Sequence, residues 1–227
     1  MALFIDAQRL ASSQEETGVS TGSPQLDELT GGVKAETLYL FYGEEELTDT
    51  LLTHLLTHGL KPTDRYQEPE AAYVICSNYR VEHIFVDTEP PIQLIESTGQ
   101  LPESALKRVH VLVASSADQQ TNLTSELERV IKSSKDMRLV LVKGICKLGR
   151  DDARKRNRSR VHEEVQRSIA SLKRICAEAG IPLVASARES HRGRVPVPEA
   201  SSYLDHLAGV TIYLRRGERG VLTDRYF

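Results

Sequence analysis

The run Leu38-Tyr39-Leu40-Phe41-Tyr42 constrains the fold more than any other part of the chain. It is apolar at every position and ends at Gly43, so as a strand it needs cover on both faces, as in the interior of a parallel sheet flanked by helices. A helix is predicted next, because Leu51, Leu52, Leu55 and Leu56 recur at helical spacing, with Gly59 and Pro62 as stop signals. Short apolar runs at 71–76, 109–114, 139–142 and 181–185 read as further strands. Helical patterns lie between them. Leu123, Leu127, Val130 and Ile131 mark one, while Val165, Ile169, Leu172, Ile175, Cys176 and Ala179 mark a longer one that ends at Gly180 with Pro182 beyond. Strand and helix in alternation imply an α/β fold with a mostly parallel central sheet flanked by helices and joined by right-handed crossovers. The last segment departs from this pattern. Residues 210–214, a glycine-containing turn at 217–220, and 221–227 read as a C-terminal β-hairpin on one edge.

Composition narrows the function classes. The chain has 227 residues, 29 Lys+Arg against 32 Asp+Glu, and a formal charge of -3. A protein that neutralises many phosphates needs a local excess of Lys and Arg, so nucleic-acid binding must come from clusters rather than from net charge. Cys76, Cys146 and Cys176 are odd in number and form no C-x-x-C pair, which excludes a disulfide framework, leaves no zinc-site spacing, and points to a reducing compartment. No run approaches the roughly 18 apolar residues of a membrane span, so the expectation is an unexported chain with no membrane attachment. Residues 1–17 read as a linker arm, apolar at Leu3, Phe4, Ile5, Ala7 and Leu10 and then polar, and 18–227 as one core domain.

In α/β proteins, the strand, glycine, loop and helix sequence is where phosphates bind, because loop amides and the helix N-terminus converge on one anion. That place reads Gly43-Glu44-Glu45-Glu46-Leu47-Thr48-Asp49-Thr50. Against the P-loop pattern G-x-x-x-x-G-K-[ST], Gly43 and Thr50 match, whereas the second glycine is Thr48 and the lysine is Asp49. Four carboxylates stand where a polyanion would sit, and like charges about 4 Å apart repel by about 4 kcal/mol near a protein surface. The same carboxylates are suited to the exposed amides and macrodipole of the helix N-terminus, as a built-in replacement for phosphate. The alternative on these eight residues alone is an ordinary acidic loop.

The preceding segment, Val19-Ser20-Thr21-Gly22-Ser23-Pro24-Gln25-Leu26-Asp27-Glu28-Leu29-Thr30-Gly31-Gly32-Val33, resembles the I-S-T-G-x-x-x-L-D-x-L-L-G-G-G stretch that leads into the P-loop of the RecA/RadA recombinase superfamily. The strands at 71–75, 108–111, 139–142 and 181–184 are similar in order to those of its RecA-like core. Thr223-Asp224-Arg225-Tyr226-Phe227 resembles the terminal strand of the short archaeal RadB-type paralogues. The match starts at the linker, which implies a core without the family's separate N-terminal domain.

Departures from the family pattern fall on the nucleotide chemistry. The metal-supporting Asp implied after Val142 is Lys143, and the glutamate implied after Ile75 is replaced within Cys76-Ser77-Asn78, Glu89 being a second candidate for it. Without these groups nothing stabilises phosphoryl transfer. The expectation is therefore a pseudo-ATPase with no catalytic residue, no cofactor and no metal, its degenerate nucleotide site formed by Gly43, Glu44, Glu45, Glu46, Thr48, Asp49, Thr50 and Lys143. A divergent ATPase using Lys143 or Lys147 is the enzymatic alternative.

Two further features carry implied functions. Phe4-Ile5-Asp6-Ala7 resembles the F-x-x-A linker motif of RadA-type proteins, which implies docking on a RadA-like recombinase or another paralogue through Phe4 and Ala7, homodimer and mixed complex both staying open. A fold-back of the arm onto the core is the alternative. Arg150, Arg154, Lys155, Arg156, Arg158 and Arg160 form one basic stretch, and Arg188, Arg192 and Arg194, with His191, a second. In the family these places hold the two DNA loops, so the resemblance implies mobile, single-stranded-DNA-binding loops. Neither contains an aromatic to stack on bases, so affinity is expected to be electrostatic and sequence-independent. Solvated loops without a ligand, in a protein-interaction subunit, are the alternative. The implied role is a non-catalytic accessory or mediator factor in homologous recombination and DNA repair, cytoplasmic and nucleoid-associated, or nuclear in a eukaryote. His54 and His58 stand one helical turn apart with no third ligand in view, and read as a surface or interface pair.

Overall fold

The computed structural model describes residues 18–77, 102–153, 157–192, 194–217 and 220–225. Helix α1 (Pro24–Thr30) leads into strand β1 (Leu38–Gly43), helix α2 (Glu45–Gly59) and strand β2 (Glu70–Cys76). Helix α3 (Pro102–Leu106), β3 (Val109–Ala114), α4 (Ala117–Ser133), β4 (Met137–Lys143), α5 (Lys147–Ala153) and α6 (Arg158–Glu178) follow. The chain closes with β5 (Leu183–Arg192), β6 (Val195–Pro198), α7 (Ser201–Leu207), β7 (Val210–Gly217) and β8 (Gly220–Arg225). The sheet order is β3-β2-β4-β5-β1-β7-β8, with β6 paired to β5. Every pairing from β3 to β7 is parallel, and only β8 on β7 and β6 on β5 are antiparallel.

β1 is buried along its whole length. Because side chains alternate, Leu38, Leu40 and Tyr42 face one core, shared with α4, α6 and α7, while Tyr39 and Phe41 face the other, shared with α1 and α2. This two-sided burial explains the uninterrupted apolar run. Ser116 caps α4 by accepting from the Gln119 N–H, and Asn157 caps α6 by accepting from Ser159 and Arg160.

Three elements differ from the sequence reading. β5 begins at Leu183 rather than Ile181 and runs to Arg192, forming a hairpin with β6, so the second basic stretch is a strand pair and not a loop. Helix α6 starts at Arg158, which makes the second half of the first basic stretch helical. The C-terminal hairpin is present, but its first strand pairs in parallel with β1 and only β8 is the edge. A strand pattern in sequence does not say which neighbour the strand will find. Phe4, Ala7, Arg154, Lys155, Arg156 and Glu89 lie outside the described residues, as does Asn78.

Candidate functional site

The segment that resembles the recombinase lead-in is a folded brace. Asp27 on α1 accepts from the Ser20 hydroxyl (2.6 Å), the Thr21 N–H (2.8 Å) and the Thr21 hydroxyl (2.8 Å). Gly31 ends α1 in the left-handed conformation, and Val19 bridges to Val33. These bonds explain why Ser, Thr, Asp and the glycines recur at that spacing. The loop packs on α2, where His54 and His58 are half-buried beneath Gly22 rather than a free surface pair. Burial, then the Lys61 ammonium 3.3 Å from its Nδ1, hold His58 below the ordinary histidine range.

Open α/β sheets bind ligands beyond the carboxyl ends of their strands. Here that position is filled by the protein's own charges. α2 winds directly from β1, with the Leu47 and Thr48 amides already donating to the Glu44 carbonyl, so no open loop separates strand from helix. Lys143, at the end of β4, sets its ammonium 2.8 Å from the Asp49 carboxylate. The residues at positions 49 and 143, both singled out in the sequence, thus pair with each other. Glu45 accepts from Arg188 at 2.7 Å and lies 3.7 Å from Lys147. Glu44 accepts from the Arg216 N–H at 2.7 Å, and Glu46 pairs with the Arg216 guanidinium at 3.1 Å.

Glu44 is the N-cap residue yet makes no side-chain capping bond, contrary to that part of the sequence expectation, while Glu45 and Glu46 lie in the first turn, where the macrodipole favours acid. Full cations on β4, α5, β5 and β7 outcompete the partial charges of the helix amides. Thr48 and Thr50 turn their hydroxyls to the Glu45 and Glu46 carbonyls of their own helix. The cavity among Asp49, Ser77, Lys143, Gly144, Lys147 and Ser186 is about 20 Å³, on the order of one water.

The Glu45 carboxyl is raised by burial, but the Arg188, Lys147 and Lys143 charges outweigh that and hold it below the ordinary glutamate value of 4.5. A lowered folded-state value contributes stability above the unfolded value that is lost as pH falls through the folded one. Unfolding titrations of wild type and Glu45→Gln are therefore expected to differ near neutrality and to converge as pH falls through the lowered folded-state value of the carboxyl. A constant gap across the acid range would exclude the linkage.

The basic residues separate into two groups. Arg150, on α5, lies 3.5 Å from Glu199, and Arg160, on α6, 3.3 Å from Glu164. On the β5–β6 hairpin, Arg188 is pinned to Glu45, while His191, Arg192 and Arg194 are exposed. The hairpin is held at its base by the Tyr42 hydroxyl donating to the Pro196 carbonyl (3.2 Å) and the Tyr213 hydroxyl donating to Glu189 (2.8 Å). Burial and that bond push the Tyr213 phenol up to about 12. The structure brings the acidic turn, Lys143 and Arg188 together and leaves Arg150 and Arg160 outside that cluster. Arg216 was missed by sequence reasoning as a member of the site, whereas Lys147 was named there only as a substitute lysine of the ATPase alternative. The one signal for Arg216 was its position in the last residues of a strand at the sheet's carboxyl end.

Cys76, Cys146 and Cys176 are buried free thiols, and burial pushes all three up to about 12. They belong to the core. No helix among the described residues is long and apolar enough to cross a membrane.

The family model Rad51 matches residues 13–217, which takes in the brace, the acidic turn, both basic segments and β7. Together with a parallel sheet ordered β3-β2-β4-β5-β1-β7 and its site at the carboxyl end of β1, this match places the chain in the Rad51 family, among the recombination- and repair-related RecA-like proteins.

Proposed function

We propose that this protein is a non-catalytic recombinase paralogue, an accessory factor that holds single-stranded DNA and docks on a RadA-like recombinase or another paralogue without turning over ATP. The Lys143–Asp49 pair carries the reading: it places a lysine where a magnesium carboxylate is needed and a carboxylate where the phosphate lysine is needed. Phosphoryl transfer relies on positioning and charge stabilisation, and this polarity opposes both. Lys143 and Lys147, the substitutes an ATPase would require, face Asp49 and Glu45. The exposed Arg192 and Arg194, with Arg188 at the hairpin's base, support electrostatic binding of a nucleic-acid backbone. Phe4 and Ala7 are the docking residues in this reading.

The purified protein is expected to show no micromolar binding of a fluorescent ATP analogue, no ATP hydrolysis above background with DNA present, and a salt-sensitive shift of labelled single-stranded DNA. Saturable nucleotide binding lost on Lys143→Ala would establish the ATPase instead. DNA binding unaltered by Arg192→Glu with Arg194→Glu would remove the hairpin from the interface. Recovery of the recombinase in a pull-down is expected to fall with Phe4→Ala, and equal recovery removes the arm.

A further inference from the structure

Arg188 and Arg216 flank the first turn of α2 from opposite sides. In the sheet, Gly43 is opposite Arg188 on β5 and Leu214 on β7, with Arg216 two residues further along the same face. Each arginine is held by an exposed carboxylate, Arg188 by Glu45 with side chains 39% and 46% exposed, Arg216 by Glu46 at 61% and 77%. Exposed pairs of this kind are weak and exchange readily. A guanidinium is also the side chain best matched to bidentate contact with phosphate.

Around them exposed arginines alternate with the exposed carboxylates of Glu44 and Glu189. Arg192 and Arg194 are exposed on the hairpin, and Arg215 is exposed on β7, close enough to Tyr213 for its charge to act on the phenol. The hairpin itself is fixed by Tyr42 and Tyr213, so exchange of partners needs only side-chain rotation. Lys143–Asp49 is more enclosed, at 21% and 33%, and stays closed in this scheme.

We infer that Arg188 and Arg216 are a phosphate-binding pair for a single-stranded nucleic-acid backbone, and that Glu45 and Glu46 occupy them in the free protein until the strand's phosphates displace them. The inference rests on the DNA-binding reading above and adds to it a binding residue on β7 and an internal competitor. A carboxylate that already neutralises an arginine reduces the net counterion release when phosphate takes its place. Removing the carboxylate therefore steepens the salt dependence as well as tightening binding.

The test is fluorescence anisotropy of a labelled oligothymidylate over a sodium chloride series, using the full chain. Glu45→Gln with Glu46→Gln is expected to bind severalfold more tightly than wild type, with the log–log salt slope steeper by about 0.7 for each arginine released. Arg188→Gln with Arg216→Gln is expected to bind more weakly, and adding the two glutamine changes to it should produce no further gain. Glu28→Gln with Glu68→Gln, both exposed and outside the turn, separates a local effect from net charge. An equal gain in that control overturns the inference. Arg216→Gln alone, at a highly exposed position, supplies the arginine arm if the double variant fails to fold by circular dichroism. Wild-type binding with unchanged slopes in both turn variants overturns the inference while leaving the DNA reading intact. Absence of binding in wild type and all variants overturns both.

Discussion

Gly43→Ala is expected to destabilise the fold by roughly 3–5 kcal/mol, enough to unfold a marginal domain. A Cβ at this position would lie 1.9 Å from the Leu214 carbonyl oxygen, and the backbone φ is +133°, where side chains are rarely accommodated. That oxygen also accepts the Glu44 N–H, so relief of the clash must part β1 from β7 at the point where α2 begins. Gly180→Ala provides the comparison. Its φ is +67° and nothing lies within 4 Å of a built Cβ, so only the left-handed backbone penalty of about 1–2 kcal/mol applies. Urea denaturation of both variants measures the difference, and equal losses would show that close backbone approach is not what requires glycine at 43.

The ion pair between positions 49 and 143 leads to the second large effect. Asp49→Lys sets two ammonium groups together, and Lys143→Asp sets two carboxylates together. Each is expected to cost about 2 kcal/mol, since the pair is largely shielded from water. Lys143→Asp is expected to cost more, because the Lys143 charge also acts on Glu45. The double exchange rebuilds an ion pair of opposite polarity and is expected to recover most of the loss, with a coupling of about 1–3 kcal/mol. Recovery stays incomplete because a carboxylate at 143 still faces Glu45. Additive losses in the cycle would mean that the 2.8 Å contact contributes nothing measurable. The double variant has the P-loop polarity but lacks the loop, since α2 winds straight from β1, so it is not expected to acquire ATP binding.

Much of the fold was legible because burial writes itself into periodicity. The β1 run, the leucines of α2 and the spacing of α6 are consequences of which faces must leave water, and each element lies where its pattern indicated. Ser20, Thr21, Asp27 and the paired glycines were recognisable for a related reason, since a brace built from short-range bonds needs those residue types at fixed separations. The hairpin at Arg188–Arg194 was misread as a loop. Its strand character comes from pairing with β6 and from two tyrosines outside the segment, and exposed basic residues carry no period-two signal.

By itself, the sequence determined the α/β architecture, the family resemblance and the presence of acid at the place of a phosphate loop, because these depend on local pattern and spacing. Only the tertiary structure decided what that acid does. Arg188 meets Glu45 across 143 residues and Arg216 meets Glu46 across 170, and such partners are chosen by sheet order, not by sequence distance. With β1 between β5 and β7, the cations of both strands reach the same helical turn, and the acidic turn becomes half of an ion-pair network.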